Sequence, residues 1–192
     1  MRFLVLVFLL VGFSGPVSPQ DWPSKTVRLV IPFPPGGSTD FQGRLLCDWL
    51  SRHFGQQFVI DHKPGAGSNI GVAEVARSNP DGYTLGWITV ASHAINPTLY
   101  AKMPFDHIKD FAPGFEAMSW HGLAFPAATP PAIVEKLSQA VQRALATDEL
   151  KEKYAGGGSK AASMTPRQFA AFIKAETERW APVIKASGAR VE

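Results

Sequence analysis

The 192-residue chain has a single cysteine, Cys47, so no internal disulfide can form and packing and hydrogen bonds must hold the fold. No apolar run reaches the roughly 18 residues of a membrane-spanning helix; the longest, residues 3–13, stops at 11. Charge is sparse, at 18% of residues, and nearly balanced, with 19 Lys and Arg scattered among 16 Asp and Glu. That leaves no basic tract for nucleic acid. Nucleotide signatures are missing too. GxxxxGK[ST] does not occur, and GAGSNIG at residues 65–71 places its third glycine one position late for GxGxxG. The strand that follows, ending WITVA, lacks the acid that would hold a ribose.

Catalytic and metal constellations are equally thin. His53, His62, His93, His107 and His121 fall on different elements without an i, i+4 pair or a convergent cysteine, so no zinc site is expected. Gly157-Gly158-Ser159-Lys160-Ala161 lacks the final glycine of a nucleophile elbow. Asp61 and His62 adjoin but project to opposite faces of a strand, which argues against a dyad. The expectation is a chain that is no enzyme and carries neither cofactor nor metal.

What the sequence does hold is 45% hydrophobic and 11% aromatic residues, with 17 Gly and 16 Pro. That composition suits one turn-rich globular domain with one sizeable core. Met1-Arg2, the apolar run and Gly12-Phe13-Ser14 read as an export signal cut near residue 20. Residues 1–20 are therefore expected to be a signal peptide, and 21–192 a single α/β domain.

Residues 26–33, TVRLVIPF, read as a buried strand stopped by Pro34-Pro35-Gly36-Gly37. Thr39 and Gln42 have capping-box spacing ahead of Leu45, Leu46, Trp49 and Leu50, and Gly55 supplies the helix stop. QFVIDH at 57–62 is the second strand. Ser68 is placed to cap a helix carrying Ile70, Val72 and Val75, and YTLGWIT at 83–89 is the third strand. Strand, helix, strand, helix, strand in this span predicts parallel strands with right-handed crossovers. The fold class is thus α/β, an open, mostly parallel sheet with helices on both faces. Residues 90–113 loosen into turns, and 121–125 form a fourth strand. Thr129 caps a long helix starting at Pro130, a shorter helix follows around 148–154, and the three glycines at 156–158 end it. Thr165 with Gln168 opens a last helix running to about Ser187, with Pro182 as a kink and Gly188 beyond it.

In such a sheet ligands bind beyond the carboxyl ends of the strands, which singles out residues 34–40, 63–69 and 90–96. The first two loops are glycine-rich and lead into helix N-termini, where unpaired N–H groups and the positive dipole end favour an anion. Ser38, Thr39, Ser68, Asn69, Ser92 and Asn96 add neutral hydrogen-bonding groups. The same loops read equally as ordinary turns and caps.

Taken together, VRLVIPFPPGGSTDFQGRLL, DHKPGAGSNIGVAEVARSNPDGYTL, SHAINPTLY and FDHIKDFAP resemble the periplasmic substrate-binding proteins of tripartite tricarboxylate transporters, the Bug family of bacteria. GFEAMSWHGLAFPAATPPAIVEKLSQAVQRAL and TPRQFAAFIKAETERW are similar to the end of the same family. The resemblance implies a type II periplasmic-binding-protein fold, two lobes closing on a ligand, here reduced to one. A long stretch that separates the KDFAP-like from the GFEA-like segment in the family is absent, and Pro113 runs straight into Gly114 as a turn. The lobe would be built from residues 21–113 and 114–192. By position, Pro35, Gly36, Gly37, Ser38 and Asp40 match the family's first ligand loop, Gly67, Ser68 and Asn69 the second, and Ser92, His93, Ala94 and Asn96 the third. Asp40 also reads as a helix-start acid and His93 as a packing residue. The implied function is a periplasmic solute-binding component gripping a small carboxylate through backbone groups and bridging water. Its implied partners are the two integral-membrane permease subunits, and the protein is expected to be a monomer. The alternative is a truncated non-binding remnant, or an interaction domain of the same fold.

Overall fold

The computed structural model describes residues 22–107, 109–117 and 120–187. The export signal and the stop at Gly188 lie outside the described residues. Strand β1 (Val27–Ile31) leads to helix α1 (Ser38–Phe54), strand β2 (Phe58–His62), helix α2 (Asn69–Ala76) and strand β3 (Thr84–Thr89). A wide helical turn, Ala91–Ile95, and the short helix α3 (Asn96–Leu99) follow. Strands β4 (Phe111–Ala117) and β5 (His121–Pro126) then precede helices α4 (Pro131–Ala146), α5 (Asp148–Gly156) and α6 (Pro166–Ser187).

The five strands form one sheet in the order β2-β1-β3-β5-β4. β1 pairs in parallel with β2 (Leu29 opposite Ile60) and with β3 (Leu29 opposite Leu85). β5 is antiparallel to both β3 and β4, so four strands share one direction and β5 alone opposes them. Side-chain alternation divides the core into two layers. Leu29, Ile31, Leu85, Trp87, Leu123 and Phe125 face α1, α4 and α5, while Val30, Ile88 and Ala124 face α2 and α6. Helices therefore cover both faces. Trp22 anchors the start of the described chain: its indole donates to Gly82 O at 3.2 Å and its ring meets Phe54 edge-on at 5.5 Å.

The structure departs from the sequence reading at Pro113-Gly114 and at the starts of α1 and α4. Pro113 and Gly114 form no turn but lie within β4, where the register shifts between Pro113 and Glu116. β4 is an edge strand, and an edge tolerates a proline that cannot donate to a ladder. At α1 the capping position falls to Gly37, with no side-chain cap. Gln42 instead turns into the protein, donating to Ser159 Oγ at 2.7 Å and lying 2.9 Å from His121 Nδ1. At α4 the boundary is Pro130 rather than Thr129, again without a side-chain cap. The Thr165–Gln168 box does form: Thr165 N donates to Gln168 Oε1 at 2.9 Å, and Gln168 N to Thr165 Oγ1 at 3.3 Å. α6 continues past Pro182.

Candidate functional site

Because β1, β2 and β3 are parallel, the chain leaves all three at the same end of the sheet, and the three loops read from the sequence come together there. In the first, Pro35, Gly36, Gly37 and Ser38 are exposed. A Cβ placed on Gly36 or Gly37 would meet nothing within 4 Å, so this turn offers open backbone. Asp40 does not face outward with them. Its buried carboxylate accepts from Gly36 N–H at 2.9 Å through Oδ2, while Oδ1 lies 2.9 Å from Arg44 Nε and 3.1 Å from His62 Nε2. Burial pushes this carboxyl up, but the Gly36 N–H, Arg44 and His62 outweigh it and hold the group below the usual range. Asp40 thus shapes the loop from behind.

The second loop is wound left-handed over four successive residues, Gly65, Ala66, Gly67 and Ser68, with φ of 128°, 45°, 59° and 82°. Two of these are not glycine, and such strain persists only where surrounding structure fixes it. Ser68 sits in the capping position of α2 yet makes no cap bond. Its hydroxyl oxygen is buried and has no hydrogen-bond partner among the described residues. Asn69 is buried beside it, and Gly67 is exposed.

The third loop turns mostly inward. Ser92 Oγ accepts from Thr89 N at 3.1 Å and contacts His93 Nδ1 at 2.8 Å. His93 is fully buried with its ring 6.1 Å from Phe105, and burial, with His107 nearby, pulls its pKa down to about 3. His93 and Ala94, both wholly buried, pack the loop from below. Asn96 joins this loop to the second one: Nδ2 donates to Gly67 O and to Asn69 Oδ1, each at 2.8 Å.

Sequence reasoning missed several residues that build this end of the sheet. His62 ends β2 and bridges Asp40 to Phe33 O, 2.9 Å from Nδ1. Tyr100 stands beside Gly67, where a Cβ would come within 2.7 Å of the phenol oxygen. Phe41 and Ile70, on the first turns of α1 and α2, are exposed large apolar side chains. A hydrophobic residue one place after a cap region is a usable signal for Ile70; the others depend on tertiary contacts. A surface groove of about 830 Å³ runs between α1 and β2 with Arg44 and His62 in its wall, and another of about 520 Å³ lies around Met103 and Phe105.

Chemically, the arrangement can hold an anion and polarise little else. The cations nearest the loops are already matched, Arg44 to Asp40 and Lys63 to Asp61 and Glu74. Among the described residues no group of three or more His, Cys, Asp and Glu gathers as a metal site, and no helix is long and apolar enough to cross a membrane.

The sequence profile of the tripartite tricarboxylate transporter family receptor matches residues 43–113 and 111–189. Protein BugT of Bordetella pertussis is 34% identical over 116 residues, covering 58% of this chain and 36% of BugT. The chain thus spans about a third of the length of the curated relatives it matches. A Rhodopseudomonas palustris protein solved with adipate aligns at TM-score 0.83 and 21% identity, covering 89% of this chain and 100% of that one. MatC from the same organism, with bound malate, aligns at TM-score 0.78 and 19% identity, covering 85% and 100%. At these identities the structures speak to the fold.

Proposed function

This chain belongs to the tripartite tricarboxylate transporter receptor family, a family of solute receptors and not of enzymes, and on that footing we propose that it is an exported, periplasmic solute-binding protein for a small carboxylate. The observation that carries the reading is the pair of glycine turns, around Gly36-Gly37 and Gly67, which open at the same end of the sheet and lead into α1 and α2. Backbone N–H groups at a helix start hold an anion without a cationic side chain, and Arg44 and Lys63 beside these turns already have carboxylate partners. The buried, unpartnered hydroxyl of Ser68 adds a polar group beside the second turn. Exposed Phe41 and Ile70 supply apolar surface for the carbon skeleton of a dicarboxylate. Ligands in the solved relatives, adipate and malate, are of this class.

In this reading Pro35, Gly36, Gly37, Ser38, Gly67, Ser68, Asn69 and Asn96 make or frame the grip, with Asp40, Ser92, His93 and Ala94 shaping it from behind. In this reading the chain is a single lobe, built from residues 21–113 and 114–192. Two separate profile matches that meet at 111–113 support a missing middle stretch. One lobe leaves an open shelf, whereas a good pocket encloses roughly 70 to 90% of its ligand. Each lost polar contact removes about 1 kcal/mol, so several would weaken binding by orders of magnitude. The two membrane permease subunits are the proposed partners, and the protein is proposed to be a monomer.

Isothermal titration with di- and tricarboxylates and acidic amino acids tests the proposal. Saturable heat with at least one carboxylate supports a receptor. No heat with any of them makes the chain a non-binding remnant of the fold.

A further inference from the structure

Met103 connects the second glycine turn to a surface groove. A short run of side-chain hydrogen bonds fixes which atoms meet. Gly67 O only accepts, so Asn96 presents Nδ2 to it at 2.8 Å, and the same nitrogen donates to Asn69 Oδ1 at 2.8 Å. With its oxygen so engaged, the buried Asn69 directs Nδ2 the other way, onto Met103 Sδ at 3.7 Å. A thioether is a weak acceptor, and it is the one that Asn69 Nδ2 has among the described residues. Met103 itself is half-buried and lines the groove of about 520 Å³ with Pro97, Pro104 and His107. Two asparagine side chains thus separate a sulfur at a solvent groove from the carbonyl of Gly67.

We propose that Met103 is a modification site, where a peroxide converts the thioether to a sulfoxide and thereby loosens the second turn and weakens carboxylate binding. The inference rests on the carboxylate reading of that turn. In the step, a sulfur lone pair attacks one oxygen of hydrogen peroxide. The S–O bond forms, the O–O bond breaks, and the proton on the transferred oxygen passes to the departing hydroxide to give water. Sulfur loses two electrons and the peroxide gains them. The product is polar and chiral where the thioether was apolar, and its electron-poor sulfur no longer serves as the acceptor. Asn69 Nδ2 must then stay buried without a partner or swing toward the new oxygen. Either way Oδ1 is drawn from Asn96, and the clamp on Gly67 O slackens. Met164, the other described methionine, packs against the core layer beneath α2 and α6 and serves as an internal comparison. Cys47 stays out of the reaction, because burial pushes its thiol up to about 12 and leaves no thiolate at neutral pH.

The test treats the full, isotope-labelled chain with hydrogen peroxide at neutral pH. Peptide mass spectrometry locates the added oxygen, NMR follows the Asn69 side-chain amide and the Gly67 backbone amide, and titration measures adipate and malate binding. The expected result is a sulfoxide at Met103, movement of both amide signals in step with it, and binding about tenfold weaker. Methionine sulfoxide reductases A and B together should reverse all three changes. M103L should make the two amides and the binding indifferent to peroxide, whereas M164L should leave the full response. If M103L does not fold, M164L and the reductase reversal decide. A Met103 that stays reduced while Met164 is oxidised, or a Met103 sulfoxide that leaves Asn69 and Gly67 unmoved, overturns the proposal. If both amides respond to the sulfoxide but the untreated chain binds neither acid, the modification site stands and the carboxylate reading fails.

Discussion

Asn96 and Asn69 are joined side chain to side chain, Nδ2 to Oδ1, at 2.8 Å, with both residues buried at 3% exposure. The same Asn96 nitrogen reaches Gly67 O, so the loops following β2 and β3 are held as one unit. Asn96→Ala leaves two acceptors without their donor and should cost about 1–3 kcal/mol. A double-mutant cycle with Asn69→Ala in urea unfolding checks it: the pair should cost clearly less than the sum of the singles.

The second turn also depends on a glycine that no alanine can replace. A Cβ on Gly71 would stand 2.7 Å from Lys63 O and 3.0 Å from Pro32 Cβ, and the carbonyl is backbone that cannot swing away. Gly71→Ala should destabilise by about 1–3 kcal/mol as an overpacked site. Gly37→Ala, with open space around it, should cost only a few tenths by comparison; thermal unfolding of both variants decides.

Acid should destabilise the fold through two buried histidines. Burial lowers His93 to about 3, aided by His107, and His121 to about 4. Each binds its proton more weakly folded than unfolded, so the unfolded state gains protons first as pH falls below the ordinary value of about 6.5. Stability should be full above that point and decline down through about pH 4. Asp40 and Glu176, both held below the usual carboxyl range, extend the loss further into acid as they protonate. His121→Gln should flatten the upper part of this decline in a series of thermal melts across pH.

Glu176 fixes α6 to the second face of the sheet. Its Oε2 accepts from the indoles of Trp120 at 2.9 Å and Trp180 at 3.2 Å, and its Oε1 accepts from Arg179 at 3.0 Å. Burial raises this carboxyl, but the three donors prevail and hold it low. Glu176→Gln puts an amide N–H among donors and should cost about 1–3 kcal/mol. Near-ultraviolet circular dichroism should lose tryptophan signal in the variant, whereas an unchanged spectrum and melting point would show that the carboxylate is dispensable.

The parts of the fold that could be read from the sequence are those set by short-range pattern. Val27, Leu29 and Ile31 alternate with Val30, and that alone places β1 between two helical layers. The glycine turns were legible because few other residues allow such tight backbone, and parallel strands bring them together. Where a local pattern competes with a tertiary partner, the reading fails. Thr39 and Gln42 have the spacing of a capping box, yet His121 and Ser159 claim the Gln42 amide. Pro113-Gly114 looks like a turn until an edge-strand position makes the missing N–H harmless. Ser92, His93 and Ala94 match a ligand loop in sequence, and only the packing of α6 and Phe105 reveals how deeply they lie.

The claim on which the account turns is that main-chain amides at the two glycine turns hold a carboxylate. Following every backbone amide by NMR while adipate or malate is added tests it most directly. The account predicts saturable shifts concentrated at residues 36–40 and 66–70, lost on adding the corresponding diol. Saturable shifts centred instead on the groove between α1 and β2, or none with either acid, would contradict it.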